Sequence, residues 1–322
     1  MKNVHVHRYS DVNKQLWDDF VSQAEVHSIL FYRDFMEYHS DRFTDYSLLV
    51  FQENKLIAIM PANIDADNIL HSHQGLSYGG LLVKPFTSFQ IRLKAYLFIL
   101  KFLETHNVYD LRLKEIPSCY ANGGSNRLIF QWLSATCVRT DIYSYIPKAA
   151  YKKPNRNRLR HLEKINNTNV EVRSTESYLE FWENILIPNL KKRFDVSPVH
   201  TVAEIGGLAN HFNKQIRLYG VYEGGSIRAG VVLFIHRDVV HAQYSAGDDG
   251  RSDGTLDYLL DFVIRKYNNS KTFSFGTSSE DVGERLNGGL LYWKESFRTV
   301  NDVQQFYHIK TVNHTKLIDR IR

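Results

Sequence analysis

The sequence predicts a mixed α/β fold, α+β in the grouping of its elements, built twice as two pseudo-equivalent domains in tandem. Three observations predict it. The chain has 322 residues, beyond the ~250–300 at which a single core stops growing. Helical periods and strand-like alternation succeed one another in the same order in both halves. When the sequence is laid against itself 170 residues apart the turns of the two halves coincide, and His71 falls on His241.

Each half opens with two helical segments. NKQLWDDFV around Trp17 and YLEFWENIL around Trp182 occupy comparable places, and FYRDFMEYH is matched by TVAEIGGLANHF. Three strands follow. In the first half YSLLVF and KLIAIMPANI flank a turn at Glu53-Asn54, and ILHSH follows the turn DADN. In the second half IRLYGVY and SIRAGVVLFI flank EGG, and VVHAQYS follows HRD. Each trio leads through a Gly-rich segment into a helix and one more strand. The first such pair is IRLKAYLFILKFLETH and YDLRLKEI. In the second, Leu256, Leu259, Leu260, Val263 and Tyr267 keep a helical period after a cap at Thr255, and KTFSFG follows. Identity between the halves is slight, with Leu48/Leu218, Glu53/Glu223 and Ile57/Ile227 among the few matches, so register carries the inference. The expected domains are 1–149 and 169–322, joined by a basic linker helix over 150–168.

Composition narrows the class. With 43% hydrophobic and 23% charged residues the chain is of ordinary globular composition. Its longest apolar run, Ala95–Leu103, is interrupted by Lys101 and falls short of the ~20 residues of a membrane span. No apolar signal region follows Met1, and Cys119 and Cys137 form neither a disulfide framework nor a metal-type spacing. A cytoplasmic protein without a metal is expected. The net charge of +5 is mildly basic, and it is concentrated. YKKPNRNRLRHLEK, Tyr151–Lys164, holds six positive charges against one acid. Lys152, Arg156, Arg160 and Lys164 recur every fourth residue and would align on one helical face, with Pro154 limiting the regular helix to about Asn155 onward. That face reads either as a solvated linker or as an anion contact.

HSHQGLSYGGLLV, His71–Val83, likewise has two readings. Its glycines suit a plain turn, and they equally suit a loop whose backbone approaches a ligand. In VVHAQYS, strand alternation puts His241, Gln243 and Ser245 on one side and Tyr244 on the other. His241 has the pKa range of a base, Tyr244 is a phenolic acid or a core ring, and both compete with structural roles.

The order of elements is that of GNAT acyltransferases, and the sequence resembles the Fem-type branch, with two GNAT-like domains in one chain. The residues that carry the resemblance are PVHT at 198–201, HAQYSAG at 241–247, FGTSSEDVGERLNGGLLYWKESF at 275–297 and SHQGLSYGGLLV at 72–83. It spans roughly Trp17–Tyr307, and SHQGLSYGGLLV in the first half is similar to a segment of bacterial members associated with envelope polysaccharide assembly. The resemblance implies an N-acyltransferase. LLYWKESF looks like the family's aromatic-lysine-two residues-phenylalanine pattern, making Lys294 the cation that steadies the acyl donor, although SFRTV replaces the family's Phe-Gly-Gly or Phe-Gly-Ala. Asn287 in GERLNGGL resembles a recurrent asparagine that shapes the pocket, and it would also cap a helix.

The superfamily's pyrophosphate loop is missing, since AGDDGRSDGTLD carries Asp248, Asp249 and Asp253 in its place. An acyl-CoA donor, acetyl-CoA for example, would need other cations: Arg251, Lys152, Arg156 and Arg160. An aminoacyl-tRNA donor, as in Fem enzymes, would use the same basic face, and an inert glycan- or protein-binding module would use neither. By the same resemblance the first domain takes the acceptor, a nucleotide-linked sugar or envelope-glycan precursor, with His73, Ser77, Tyr78 and Gly79 as its loop, and the second takes the donor.

Overall fold

The computed structural model describes residues 4–121, 126–166, 168–248 and 254–321. Contacts divide the chain into two units, Met1–Asp141 with Val282–Glu284 and Val303–Arg322, and Ile142–Asp281 with Arg285–Asp302.

The first unit begins with β1 (Val4–Arg8), α1 (Lys14–Ser22) and α2 (Arg33–Met36), followed by β2 (Thr44–Asp45) and β3 (Leu48–Gln52). A turn with Glu53 at φ 55° leads into β4 (Lys55–Met60), and after Pro61 the strand resumes as β5 (Asn63–Ile64). Proline has no N–H for a ladder, so the sheet divides there. β4 stays with β1, β3 and β7 (Leu82–Val83), while β5 pairs with β2 and β6 (Leu70–His71). Helix α3 (Phe89–Thr105) starts where the Ser88 side chain accepts from the Ile91 N–H. It carries the chain over to β8 (Asp110–Lys114), parallel to β6, and buries Leu93, Tyr96, Leu100 and Leu103 in the core on the way. Helix α4 (Arg127–Trp132) adds Ile129 and Phe130 to the same core, and β9 (Thr136–Ile146) follows.

The second unit contains α5 (Arg156–Asn166), β10 (Val170–Thr175), α6 (Tyr178–Phe181), a π-helical turn at Trp182–Leu186, α7 (Ile187–Phe194) and α8 (Val202–His211). The meander β11 (Ile216–Glu223), β12 (Ser226–Ile235) and β13 (Val239–Gly247) comes next, then α9 (Thr255–Tyr267) and β14 (Thr272–Thr277). Its sheet has the order β10-β11-β12-β13-β14-β9. Leu259, Leu260, Val263 and Ile264 of α9 pack on Val231, Leu233 and Phe273. The short pair β15 (Ser279–Glu280) and β16 (Arg285–Leu286) precedes α10 (Gly288–Glu295).

The duplicated architecture is present. β6 runs parallel to β8 with His71 opposite Arg112, and β13 runs parallel to β14 with His241 opposite Ser274. Each histidine is the last paired residue of its run. Trp17 and Trp182 are equivalent too: both are buried, and each donates its indole N–H to a backbone carbonyl, of Phe31 at 2.8 Å and of His200 at 3.1 Å.

Two boundaries differ from the expected ones. Strand β17 (Val300–Lys310) and helix α11 (Thr315–Ile318) end the chain, and from Val303 onward it belongs to the first unit, because β17 pairs antiparallel with β8 from Phe306↔Lys114 to Lys310↔Asp110. The basic segment is no free linker. Helix α5 starts at Arg156, leaving Lys152 outside it, and packs on α9 with Leu162 and Ile165 buried and Arg158 paired with Asp257. Among the described residues no helix is long and apolar enough to cross a membrane, and no cluster of three or more His, Cys, Asp or Glu is placed to hold a metal.

Candidate active site

β13 spans nine residues but meets β14 only at Val239, Val240 and His241. Beyond Ser274 the partner strand keeps only β9, its neighbour from Phe273 onward, with Gly276 opposite Ser144 and Thr277 opposite Tyr143, while β13 stays with β12. The two parallel strands therefore fork at His241 and Ser274, whose Nδ1 and Oγ lie 3.2 Å apart. Gly276 sits at φ +72°, and a Cβ there would come within 3.1 Å of the His241 ring.

Lys294 enters this fork from α10. Phe275 packs against Trp293 and Phe297, which anchors the helix and turns Lys294 inward. Its Nζ donates to the carbonyls of Gly276 at 3.0 Å and Thr277 at 2.5 Å, with only 3% of the residue exposed. Burial pushes the ammonium down to about 7. Burial, and then the charge of Lys294, push His241 down to about 4. Asn287 caps α10, accepting from the Leu290 N–H at 2.8 Å, and its amide donates to Glu280 at 2.6 Å.

A cleft of about 570 Å³ lies where β13 ends and α9 begins. Arg158, His161 and Arg193 line it, with Asp248 and Asp257 opposing them and Trp293 and Asn287 on the α10 side. Asp257 is buried and accepts from Arg158 and from the Trp293 indole, so Arg158 is already neutralised. Asp248 is paired with Arg228 at 3.4 Å, and His161 Nδ1 lies 3.7 Å from Asp257, so the charges of this cleft largely answer one another. Of the cations expected to serve a donor, Arg160 lines a smaller cleft of about 330 Å³. Lys152 and Arg156 are exposed and line neither cleft, and Arg251 lies outside the described residues.

The expected alternation along β13 is overturned by a bulge. Val232 faces Tyr244 and Leu233 faces Ala242, so Gln243 is an extra residue. His241 and Tyr244 consequently share one face, and Ser245 falls on the other. Tyr244 is a core ring: it packs on Trp182, its hydroxyl accepts from the His200 N–H at 3.2 Å and lies 2.5 Å from His200 Nδ1, and burial pushes the phenol up to about 12.

In the first unit the equivalent fork, beyond His71 and Arg112, is filled by the chain itself. Ser72 donates its N–H to the Arg112 carbonyl, its hydroxyl accepts from the Lys114 N–H at 2.8 Å, and Gly79 donates to the Lys114 carbonyl at 3.1 Å. Lys114 Nζ donates to the carbonyls of Gln74 and Leu76, each at 2.8 Å. The loop then returns as β7. Gly79 is required by space, since a Cβ would sit 2.1 Å from the Ser72 carbonyl oxygen. Tyr78 is buried with its hydroxyl 3.0 Å from Ser28 Oγ, and His73, at φ 70°, is stacked on His39 with ring centroids 5.1 Å apart. Three of the four residues expected to form an acceptor loop, His73, Tyr78 and Gly79, are therefore closed off by packing; only Ser77 is exposed. The plain-turn reading of this stretch is the one its packing fits.

The structure brings together Lys294 and His241, which the sequence singled out, with Ser274, Gly276 and Thr277, which it did not. Nothing local marks those three, because their role comes from the fork. Arg158 was one among six cations, and its pairing with Asp257 is a long-range fact.

No family model matches the sequence, and the search of curated proteins finds no match. Solved structures do match. FemX superposes with a TM-score of 0.68 at 12% identity, over 98% of this chain and 100% of that one. A conserved protein of unknown function from Bacteroides thetaiotaomicron gives 0.59 at 12% identity, over 96% and 99%. L-PGS from Bacillus licheniformis gives 0.54 at 10%, over 82% and 86%. At such identities the likeness is one of fold: the chain has the duplicated GNAT-like, Fem-like architecture.

Proposed function

We propose that the protein is an acyltransferase that moves an acyl group from an activated carrier to an amino group of a nucleotide-linked sugar or envelope-glycan precursor. The observation that supports this reading is Lys294, a buried ammonium held by two carbonyl dipoles at the strand fork beside His241. An ammonium has three N–H donors, and two are used. The third is left for the acyl carbonyl oxygen, where charge accumulates as the amine attacks. The C–N bond forms, the bond to the carrier breaks, and the amine proton ends on the departing thiolate or alkoxide, which leaves as a thiol or hydroxyl. His241, kept neutral by burial, accepts that proton only in passing, because a second charge beside Lys294 is opposed.

Acyl-CoA is the first donor on this reading. Aminoacyl-tRNA is the second, kept because the sequence after β13 lacks the glycine pattern of a pyrophosphate loop. Purified protein, given labelled acetyl-CoA or aminoacyl-tRNA with amino-sugar nucleotides, is expected to label the amine of one acceptor. Mass spectrometry of nucleotide-sugar pools from a deletion strain then identifies the missing group. If neither donor is consumed, the inert binding module replaces this reading.

A further inference from the structure

We infer that the smaller cleft between α5 and α10 is a nucleotide subsite, taking the phosphorylated nucleoside at the far end of the donor. The inference rests on the transferase reading for the source of that nucleotide, but the site stands on its own chemistry. The cleft encloses about 330 Å³, within the roughly 300–1,000 Å³ of small-ligand pockets. No carboxylate lines it among the described residues, whereas the larger cleft contains Asp248 and Asp257. Arg158 and His161 line both, so one wall passes from the larger cleft into the smaller.

The lining divides by chemistry. Arg158 is fixed, held by Asp257 and by the Ser296 hydroxyl, which its Nε reaches at 3.0 Å. Arg160 is exposed and makes no ion pair with the described residues, so its guanidinium is available for a phosphate. Tyr292 is 59% exposed, an aromatic face with no ring partner among the described residues. A tyrosine presented in this way beside cations is a stacking platform for a base. The Asn157 amide supplies a donor and an acceptor for the base edge or ribose. A carrier that ends in a nucleotide, whether CoA or the 3′ end of an RNA, shares this handle.

The test is calorimetry at low salt with adenosine 3′,5′-bisphosphate, using the full chain. Tyr292→Ala and Arg160→Ala change exposed side chains and should leave the melting temperature unaltered. Each is expected to weaken binding about tenfold, while inorganic phosphate responds to Arg160→Ala alone. Tighter binding by intact CoA assigns the source to the thioester carrier. Tighter binding by a short single-stranded RNA ending in CCA assigns it to RNA. No binding of the bisphosphate, or equal affinity in either variant, overturns the inference. The readout needs no acyl group, so its failure leaves the transfer assay on Lys294 untouched, and a failed transfer assay leaves this result standing.

Discussion

The two strand forks start from equivalent residues and end differently. At His71 and Arg112 the opening is occupied by Ser72, Gly79 and the chain between them, whose carbonyls hold Lys114; at His241 and Ser274 it is entered by Lys294 from α10. Counted two residues past the last pair, the carbonyl of Lys114 accepts a backbone N–H from Gly79, while the carbonyl of Gly276 accepts from Lys294 Nζ. Both forks hold a lysine on two backbone carbonyls, with burial pushing Lys114 down to about 8 and Lys294 to about 7. Lys294, however, reaches its fork from a separate helix and is the more deeply buried, at a greater cost in stability.

The sharpest way to break this contrast is Lys294→Met. Transfer should fall about 10²–10³-fold, the scale for losing one oxyanion donor, with kcat affected more than KM. In the native protein activity should decline as pH rises through about 7, where the ammonium is lost. Stability should run the other way. The folded lysine titrates at about 7 and the unfolded one at 10.5, so between those values the unfolded chain binds more protons and stability rises with pH. Lys294→Met should therefore raise the melting temperature more at pH 6 than at pH 9. A fully active Lys294→Met protein would remove the lysine from the mechanism.

Gly79→Ala tests the filled fork. The new methyl meets a backbone oxygen that cannot step aside, and a cost of about 1–3 kcal/mol is expected in chemical denaturation. If the variant is as stable as the parent, the loop is not packed as described. Smaller still is Tyr78→Phe, which removes the hydroxyl pair with Ser28 and should cost about 1 kcal/mol. Hydrogen exchange of Ser72–Leu81 should then quicken without change in the second unit.

What could be read from the sequence was what is periodic or punctuated. Element order, the matching turns and the equivalence of Trp17 with Trp182 follow from local patterns of period 2 and 3.6, and all appear in the structure. Three features had no local signature. The bulge at Gln243 looks like any other strand residue until β12 is beside it. His71–Val83 has the glycines of a binding loop because tight packing against Ser72 and His39 requires small residues as much as a ligand would. Strand β17 reads as the natural end of the second domain, yet its register is set by β8. The lysine at the fork was legible only through resemblance; the carbonyls that hold it were not.

The position of β17 has a consequence for synthesis. Gln304, just past the chain's return, donates its amide to the carbonyls of Ser77 and Glu115, the first of these across 227 residues of sequence. A ribosome delivering the chain from its N-terminus has made nearly all of the second unit before the first can close its sheet. The portion translated earliest must wait, with the β8 edge unpaired and open to mispairing, until the residues beyond Val303 emerge.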